Sequence, residues 1–349
     1  MVARRWAEPD ISRMRTRRDD EEGGTLASAT LADLRAVTYK ARDSWWTVLL
    51  VDPVAIHLVR LAARLRWVTP NRITVAAFIL GLVAAGCFAI AQTPWLIAGA
   101  LIYHLAFILD CVDGKLARWQ HSGSIFGAWM DFIFDELRVV ACTIALMGGQ
   151  YLATGRAEFL LLGVIVVFLD MFRYLNGSHM NHVRSQMRAQ LAGALDGAQQ
   201  GGQRGGQDIA FLDEVVRELP AGAASPADVA DVDAQDLPVF DIHHSFRSRF
   251  PAAVRARNWL QRHRIRPHLF SGIEFQMAVF IVGPLTGAIL GVTVVSCALT
   301  AAFELAFIYR FWLSTRDFRQ ALQVAQTTPT AADVPGQRLA RSAGTTEPA

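Results

Sequence analysis

Long apolar segments separated by short polar connections fill most of the chain from residue 70 onwards. A segment of about 20 apolar residues is long enough to cross a hydrocarbon core of about 30 Å as a helix. Six such segments are predicted, at residues 72–91, 95–114, 124–147, 157–175, 270–288 and 291–312. The pattern therefore predicts an all-α integral membrane protein with six transmembrane helices.

Residues 29–68 precede the first of these spans and are amphipathic rather than uniformly apolar. Trp45 is followed by apolar residues interleaved with Arg60 and Arg64. Aromatic rings at headgroup depth and arginines facing phosphates are typical of a helix that lies in the membrane interface. We therefore predict an N-terminal interfacial amphipathic helix. The alternative is an amphipathic helix that packs on a partner.

The charges between the spans are distributed unevenly between the two sides of the predicted bundle. Residues 92–94, after the first span, carry no charge, and the connection after the third span carries Arg156 and Glu158. The opposite side carries a larger basic set, namely Arg60, Arg64, Arg66, Arg72, Lys115, Arg118, Arg316 and Arg319. Because basic residues concentrate on the cytoplasmic side, both termini are predicted to be cytoplasmic, in a multi-pass protein of the cell (cytoplasmic) membrane.

The remaining segments divide the chain by composition. Residues 1–28 are charged and aperiodic, and residues 319–349 are rich in Thr, Ala, Pro and Gly, so both are predicted to be disordered. Residues 69–184 hold spans one to four, and residues 266–318 hold spans five and six. Between them, residues 185–265 are predicted to form a flexible cytoplasmic insert that ends in a basic helix.

The overall composition argues against two kinds of protein. The chain has 349 residues, of which 52% are hydrophobic, and its net charge of +3 gives no indication of nucleic-acid binding. The four cysteines lie in apolar stretches without a metal-ligand spacing. Neither a disulfide framework nor a zinc site is therefore expected.

Four carboxylates stand out because ionised groups are costly in or near hydrocarbon. Asp110 and Asp113 lie at the end of span two, and Asp131 and Asp135 lie near the start of span three. Residues three or four apart share a helix face, so a short turn between the spans lets the two pairs converge. Like charges so close would repel. Hard divalent cations such as Mg²⁺ or Mn²⁺ relieve this repulsion and suit carboxylates that face substrate phosphates.

Small residues and one arginine accompany the acids. Gly114, Ala117 and Gly127 leave room for a ligand or for a neighbouring backbone. Arg118 has the geometry to bind a phosphate through two donors. The alternative for Arg118 is a basic residue at the cytoplasmic end of the span that satisfies a helix end.

The residues from Asp110 to Asp135 follow the pattern D-x2-D-G-x2-A-R-x8-G-x3-D-x3-D, with all eight fixed positions present. This pattern resembles the signature of the CDP-alcohol phosphatidyltransferase family. Thr-Pro-Asn-Arg-Ile-Thr at residues 69–74 also resembles the segment that leads into the first span of that family. With the six predicted spans, the resemblance extends over roughly residues 70–315.

The resemblance implies a metal-dependent phosphotransfer of phospholipid biosynthesis. A CDP-alcohol binds with its diphosphate on two metal ions, an acceptor hydroxyl attacks the β-phosphorus, and CMP leaves. By resemblance, Asp110, Asp113 and Asp131 would be metal ligands. Asp135 would ligate or orient the second metal and act as the general base, with Asp131 also in the catalytic set.

The resemblance also implies roles for other residues. Gly114 and Ala117 would line the cytidine pocket, Arg118 would lie beside the phosphates as a catalytic and substrate-binding residue, and Gly127 would border the substrate. Arg173, just after span four, is a candidate contact for the acceptor, and the alternative is a flanking positive charge. Members of the family are often homodimers, and the small residues around Gly81 would permit close packing of two copies.

Two other functions use the same kind of acidic cluster. Intramembrane prenyltransferases also combine Asp-rich helices, metals and a diphosphate, and they release pyrophosphate rather than CMP. A transporter or scaffold could bind cations there without catalysis. The sequence predicts neither the alcohol carried by CDP nor the acceptor.

Overall fold

A computed structural model of the chain describes residues 31–65, 67–198 and 268–327. Between them it also describes short pieces, at residues 210–211, 239–240, 246, 249–250, 252, 255–256, 259–260 and 263–266. The segment 1–28, most of the 185–265 insert and the end of the tail lie outside the described residues. The predictions made for those parts remain predictions.

Every long element among the described residues is a helix. In chain order the helices are α1 (Leu31–Thr38), α2 (Asp52–Arg64), α3 (Pro70–Ala89), α4 (Thr93–Gln120), α5 (Ile125–Thr154), α6 (Glu158–Ala198), α7 (Gly272–Met277), α8 (Gly283–Thr286) and α9 (Ile289–Thr327). Two π-helical segments, Thr47–Val51 and Ala278–Val282, lead into α2 and α8. Two very short strands, β1 (Ala210–Phe211) and β2 (Val239–Phe240), pair in parallel.

The six predicted spans all fall on helical segments, but the helices that contain spans two, three, four and six continue well beyond the predicted ends. Helix α4 continues six residues beyond the predicted end of span two, so Asp110 and Asp113 lie well inside the helix. Predicted span five corresponds to one continuous helical segment, Gly272–Thr286, in which a π-helical stretch joins α7 to α8. Three helices are long and apolar enough to cross a membrane, at Pro70–Ala89, Thr93–Gln120 and Ile289–Gln323.

The chain divides into two compact units. Among the described residues, the first unit contains residues 31–65, 67–173 and 268–303, and the second contains residues 174–198, the short pieces between 210 and 266, and residues 304–327. In the second unit, Met187 and Leu191 of α6 form a small buried cluster with Phe318 of α9. This apolar packing explains why both helices continue into segments whose composition predicts flexibility, up to Ala198 and Thr327.

Helix α3 is the centre of the first unit. It packs against both α4 and α5, whereas these two helices contact each other only sparsely along their described residues. Gly149 of α5 lies so close to the end of α3 that a Cβ atom there would stand 2.8 Å from the carbonyl oxygen of Phe88. Ala84 of α3 is fully buried in the same core. The small-residue face of α3, predicted to support a dimer, is therefore used for packing within the chain.

The N-terminal segment forms two helices rather than one continuous helix. Helix α1 ends at Thr38, and α2 begins at Asp52 after the π-helical turn. The buried side of α2, which includes Ile56 and Val59, packs on α4, and Leu61 on its other side is exposed. The amphipathic pattern thus gives one face that packs inside the unit, together with exposed apolar residues.

Candidate metal and substrate site

The acidic cluster lies between α4 and α5. Helix α4 ends at Gln120, the next residue, His121, adopts a left-handed conformation with φ 50°, and α5 begins after Ser124. The hydroxyl of Ser124 accepts a hydrogen bond from the backbone N–H of Gly127 at 2.9 Å and so caps α5. This tight connection reverses the chain and brings the two acid-bearing faces together.

Three of the four predicted carboxylates converge. Oxygen atoms of Asp110, Asp113 and Asp131 all lie within 4.8 Å of one another. Asp113 is buried, and its Oδ2 accepts a hydrogen bond from the hydroxyl of Thr74 on α3. Oδ1 of Asp131 is buried and has no hydrogen-bond partner among the described residues. An all-oxygen donor set with an unsatisfied buried oxygen fits a hard divalent cation.

The fourth carboxylate, Asp135, lies beside this trio and is held by an arginine. Nη2 of Arg138 donates to Oδ1 of Asp135 at 2.6 Å, and Nη1 donates to Oδ1 of Asp110 at 3.4 Å. The side chain of Asp135 is 39% exposed, whereas that of Arg138 is 4% exposed. The Asp135 carboxylate is therefore fixed by Arg138 on one side and accessible on the other.

Sequence reasoning missed Arg138. Its aliphatic chain fills the space beside Gly81 on α3, where a Cβ atom would stand 2.5 Å from Cδ of the arginine. Its guanidinium lies 5.9 Å from the centre of the Tyr103 ring. The available signal was the spacing of Asp135 and Arg138, three residues apart inside an apolar helix, which is typical of an intrahelical ion pair.

The other predicted site residues in the signature lie close by on α4 and α5. Gly114 faces Arg118, whose Nη1 would stand 3.6 Å from a Cβ atom at that glycine. Ala117 is partly buried, and its carbonyl accepts the N–H of Ser122 at the end of α4. Gly127 lies beside Asn71 at the start of α3, with its own Cβ position 3.1 Å from Oδ1 of that asparagine.

Two basic residues within the range of the signature contact the N-terminal helices. Lys115 is only 4% exposed and pairs with Asp52 of α2, so it is not a solvated charge beside the membrane. The Nε of Arg118 donates to the backbone carbonyl of Thr38, at the end of α1. One of the donors of Arg118 therefore satisfies a helix end, as the alternative prediction proposed.

Arg173 belongs to a buried polar network that begins at the cluster. Its Nη2 donates to Oδ1 of Asp170 at 3.1 Å, and Asp170 is 1% exposed. Asp170 also accepts from Gln276 of α7, whose Oε1 lies 3.5 Å from the hydroxyl of Tyr103. The Tyr103 ring in turn lies under Arg138. A chain of contacts thus connects Arg173 with the acidic cluster.

Comparison with known proteins points to the same part of the chain. The model of the CDP-alcohol phosphatidyltransferase family matches residues 67–198, a range that contains all four aspartates of the signature. Residues 67–198 therefore match a CDP-alcohol phosphatidyltransferase domain. The resemblance inferred from Asp110 to Asp135 is therefore confirmed, over 132 of the 349 residues.

Individual relatives of this domain are similar over short stretches. A bifunctional IPC transferase and DIPP synthase from Thermococcus kodakarensis is 42% identical over 69 residues, which are 20% of this chain and 15% of that protein. A phosphatidylinositol phosphate synthase from Corynebacterium glutamicum is 33% identical over 88 residues (25% and 37%). A CDP-diacylglycerol–glycerol-3-phosphate 3-phosphatidyltransferase from Cereibacter sphaeroides is 32% identical over 110 residues (31% and 48%). The chain thus spans less than half the length of these relatives.

Proposed function

We propose that this protein is a CDP-alcohol phosphotransferase of phospholipid biosynthesis. The observation that carries the proposal is the convergence of Asp110, Asp113 and Asp131 within 4.8 Å, inside a signature whose family model matches the chain. The enzyme transfers a substituted phosphate from a CDP-alcohol to an acceptor hydroxyl and releases CMP.

The four aspartates are assigned as the metal site, for Mg²⁺ or Mn²⁺ and for two ions. Asp110, Asp113 and Asp131 would be metal ligands, and Asp135 would ligate or orient the second ion. Bound divalent cations supply positive charge against the diphosphate and against the charge that develops during phosphoryl transfer. The carboxylate-only donor set, with the buried unsatisfied oxygen of Asp131, supports this assignment.

The residues around the proposed metal site have different roles in the transfer. The acceptor oxygen forms a bond to the β-phosphorus, the bond from that phosphorus to the CMP oxygen breaks, and the hydroxyl proton passes to the carboxylate of Asp135. Proton transfer of this kind contributes about 10²–10⁴-fold in rate. Arg118 binds a phosphate oxygen, and Gly114, Ala117 and Gly127 leave space for the nucleotide.

The names of the relatives suggest which substrates to try first. One of them contains CDP-diacylglycerol and glycerol 3-phosphate, and another contains phosphatidylinositol phosphate. We propose an acceptor that carries an anionic group and contacts Arg173. The support is that buried Asp170 holds this arginine, which keeps its guanidinium in one place for a charge-assisted hydrogen bond.

We further propose a multi-pass protein of the cytoplasmic membrane with six spans. The three long apolar helices supply three of them, and α5, the first half of α6 and the α7–α8 segment supply the others. Both termini and the acidic cluster face the cytoplasm, as the distribution of basic residues indicates. The exposed apolar residues near α2 rest at the membrane interface, and the protein forms a homodimer.

The test is CMP release by the purified full-length chain in detergent. CDP-diacylglycerol, CDP-inositol, CDP-choline and CDP-ethanolamine are each combined with candidate acceptors, with Mg²⁺ or Mn²⁺ and with EDTA. We expect metal-dependent CMP release with one pair and none with Asp135→Asn, which must keep the thermal midpoint of the wild type. Pyrophosphate as the product would indicate a prenyltransferase instead. Binding of Mn²⁺ without turnover of any pair would contradict the proposal.

A further inference from the structure

The N-terminal segment, residues 31–64, precedes the range that the family model matches, yet it contacts the signature helix directly. Its contacts involve Lys115 and Arg118 of α4, which lie three residues apart and so share a face. Asp110 and Asp113 also lie on α4, on a neighbouring face. One helix therefore presents the metal-binding acids on one side and two anchored cations on another.

The first contact fixes Arg118. Its Nε donates to the carbonyl oxygen of Thr38 at 3.0 Å. Thr38 is the last residue of α1, where carbonyl groups lack a partner within the helix and carry partial negative charge. The hydroxyl of Thr38 is itself bound to the carbonyl of Leu34 at 2.6 Å, which keeps the helix end ordered.

The second contact fixes α4 against α2. Nζ of Lys115 lies 3.0 Å from Oδ1 of Asp52, and each side chain is 5% exposed. Asp52 is the first residue of α2, and the hydroxyl of Tyr39 donates to its carbonyl oxygen at 3.2 Å. Burial, together with the Asp52 carboxylate, raises the pKa of Tyr39, so the hydroxyl stays a donor.

These contacts limit where the guanidinium of Arg118 can lie. An arginine has five N–H donors in a rigid planar fork, and one donor bound to Thr38 sets the orientation of the remaining four. The Nη1 end lies beside Gly114, within the signature. A buried ion pair adds little net stability but is geometrically demanding, so the Lys115–Asp52 pair serves to fix a position.

We propose that residues 31–64 are a positioning element for the substrate-binding arginine, with Asp52 and Lys115 as positioning residues for Arg118. The inference rests on the proposed function, because the substrate group that Arg118 meets is the diphosphate of a CDP-alcohol. Through α1 and α2, the segment fixes the position of α4. This orients Arg118 towards the phosphates, although Arg118 and Asp52 do not need to be in contact.

The decisive variant is Asp52→Asn combined with Lys115→Met. Asp52→Asn alone leaves Lys115 as an unpaired buried cation and lowers stability. The double variant removes both charges with little change in volume, so the thermal midpoint returns towards that of the wild type. We expect KM for the CDP-alcohol to rise about tenfold in the double variant, with kcat changed less than about threefold. A KM equal to that of the wild type would overturn the proposal.

A double-mutant cycle with Arg118→Ala separates positioning from general destabilisation. In the Arg118→Ala background, the Asp52→Asn/Lys115→Met changes should raise KM no further, because the arginine they position is gone. Additive effects on KM would overturn the proposal. The control is Glu158→Gln, which breaks the exposed pair with Arg156 outside this segment and for which KM stays unchanged.

The outcome for the wild type keeps the two proposals apart. Absence of CMP release by the wild type contradicts the proposed function. Metal-dependent release by the wild type, with KM unaffected by the double variant, contradicts only the positioning role. The affinity for Mn²⁺, measured by calorimetry without CDP-alcohol, should be the same in the wild type and the double variant. A large loss of Mn²⁺ affinity would show that the segment acts on the acids and not on Arg118.

Discussion

Arg138 and Asp135 are joined across one turn of α5, with Nη2 of the arginine 2.6 Å from Oδ1 of the aspartate. The same guanidinium reaches Asp110 on α4 at 3.4 Å. Arg138 thus connects the proposed general base to a proposed metal ligand on the other helix. It balances part of the negative charge of the cluster from a position that solvent does not reach.

Arg138→Lys tests whether this two-point contact matters. Lysine keeps the charge but not the planar fork, so Asp135 loses its fixed orientation. Misplacing a catalytic group by about 1 Å can cost about 10²-fold. We therefore expect kcat for CMP release to fall about 10–100-fold with KM for the CDP-alcohol nearly unchanged, as measured by steady-state kinetics. An equal loss in Arg138→Lys and Arg138→Gln would show that the planar guanidinium with its two contacts is required. Full activity of Arg138→Lys would show that a positive charge alone suffices.

Gly81→Ala tests the packing that holds Arg138 in place. A Cβ atom at Gly81 would stand 2.5 Å from Cδ and 2.6 Å from Cγ of Arg138, so the arginine must move. Overpacking of this kind costs about 1–3 kcal/mol, and activity should fall with it. Gly86→Ala is the matched control on the same helix, because no atom of the described residues, apart from the neighbouring backbone of the helix itself, lies within 4 Å of its Cβ position. Thermal unfolding in detergent that is equal for both variants would contradict the prediction.

Thr74→Val tests the hydrogen bond to Asp113. The Thr74 hydroxyl donates to Oδ2 of that buried carboxylate, and partners that orient a metal ligand are typically worth 10–100-fold in affinity, so we expect Mn²⁺ to bind about tenfold more weakly. Thr143→Val serves as control, since Thr143 is also buried in a helix but donates only to the carbonyl of Val139. Calorimetric titration with Mn²⁺ measures both. Unchanged affinity in Thr74→Val would show that Asp113 is oriented without this bond.

Asp170→Asn tests the proposed acceptor contact. Asp170 is buried and pairs with Arg173, so the asparagine removes the charge that holds the guanidinium. We expect KM for an anionic acceptor to rise about tenfold, with KM for the CDP-alcohol unchanged. The control is Glu158→Gln, which breaks the exposed pair with Arg156 and should have no measurable effect. A rise in KM for the CDP-alcohol alone would place Arg173 on the donor side.

The sequence predicts the convergence of three acidic residues better than it predicts the contacts around them. Helical spacing and a tight turn were enough to bring Asp110, Asp113 and Asp131 together, because those relationships are local. The bounds of α3 agree with the predicted first span within two residues, since Pro70 marks its start. Local rules of this kind do not depend on the rest of the fold.

Contacts between distant segments were not predictable in the same way. The pairing of Lys115 with Asp52 joins residues 63 positions apart, and periodicity suggests only that both lie near a membrane surface. The length of α9 was missed because its last turns pack through Phe318, which composition alone does not reveal. In both cases the structure depends on contacts between distant segments, which the local sequence pattern does not reveal.

The sparse contact between α4 and α5 has a thermodynamic consequence. Both helices pack against α3. The three carboxylates that meet between them repel one another while no cation is bound. Any cation that binds the converged arrangement more tightly than a separated one must, by linkage, stabilise that arrangement increasingly as the cation concentration rises. Cation binding and order at the helix pair are then one equilibrium, so slower amide hydrogen exchange around Asp113 and Asp131 should accompany rising Mn²⁺ concentration.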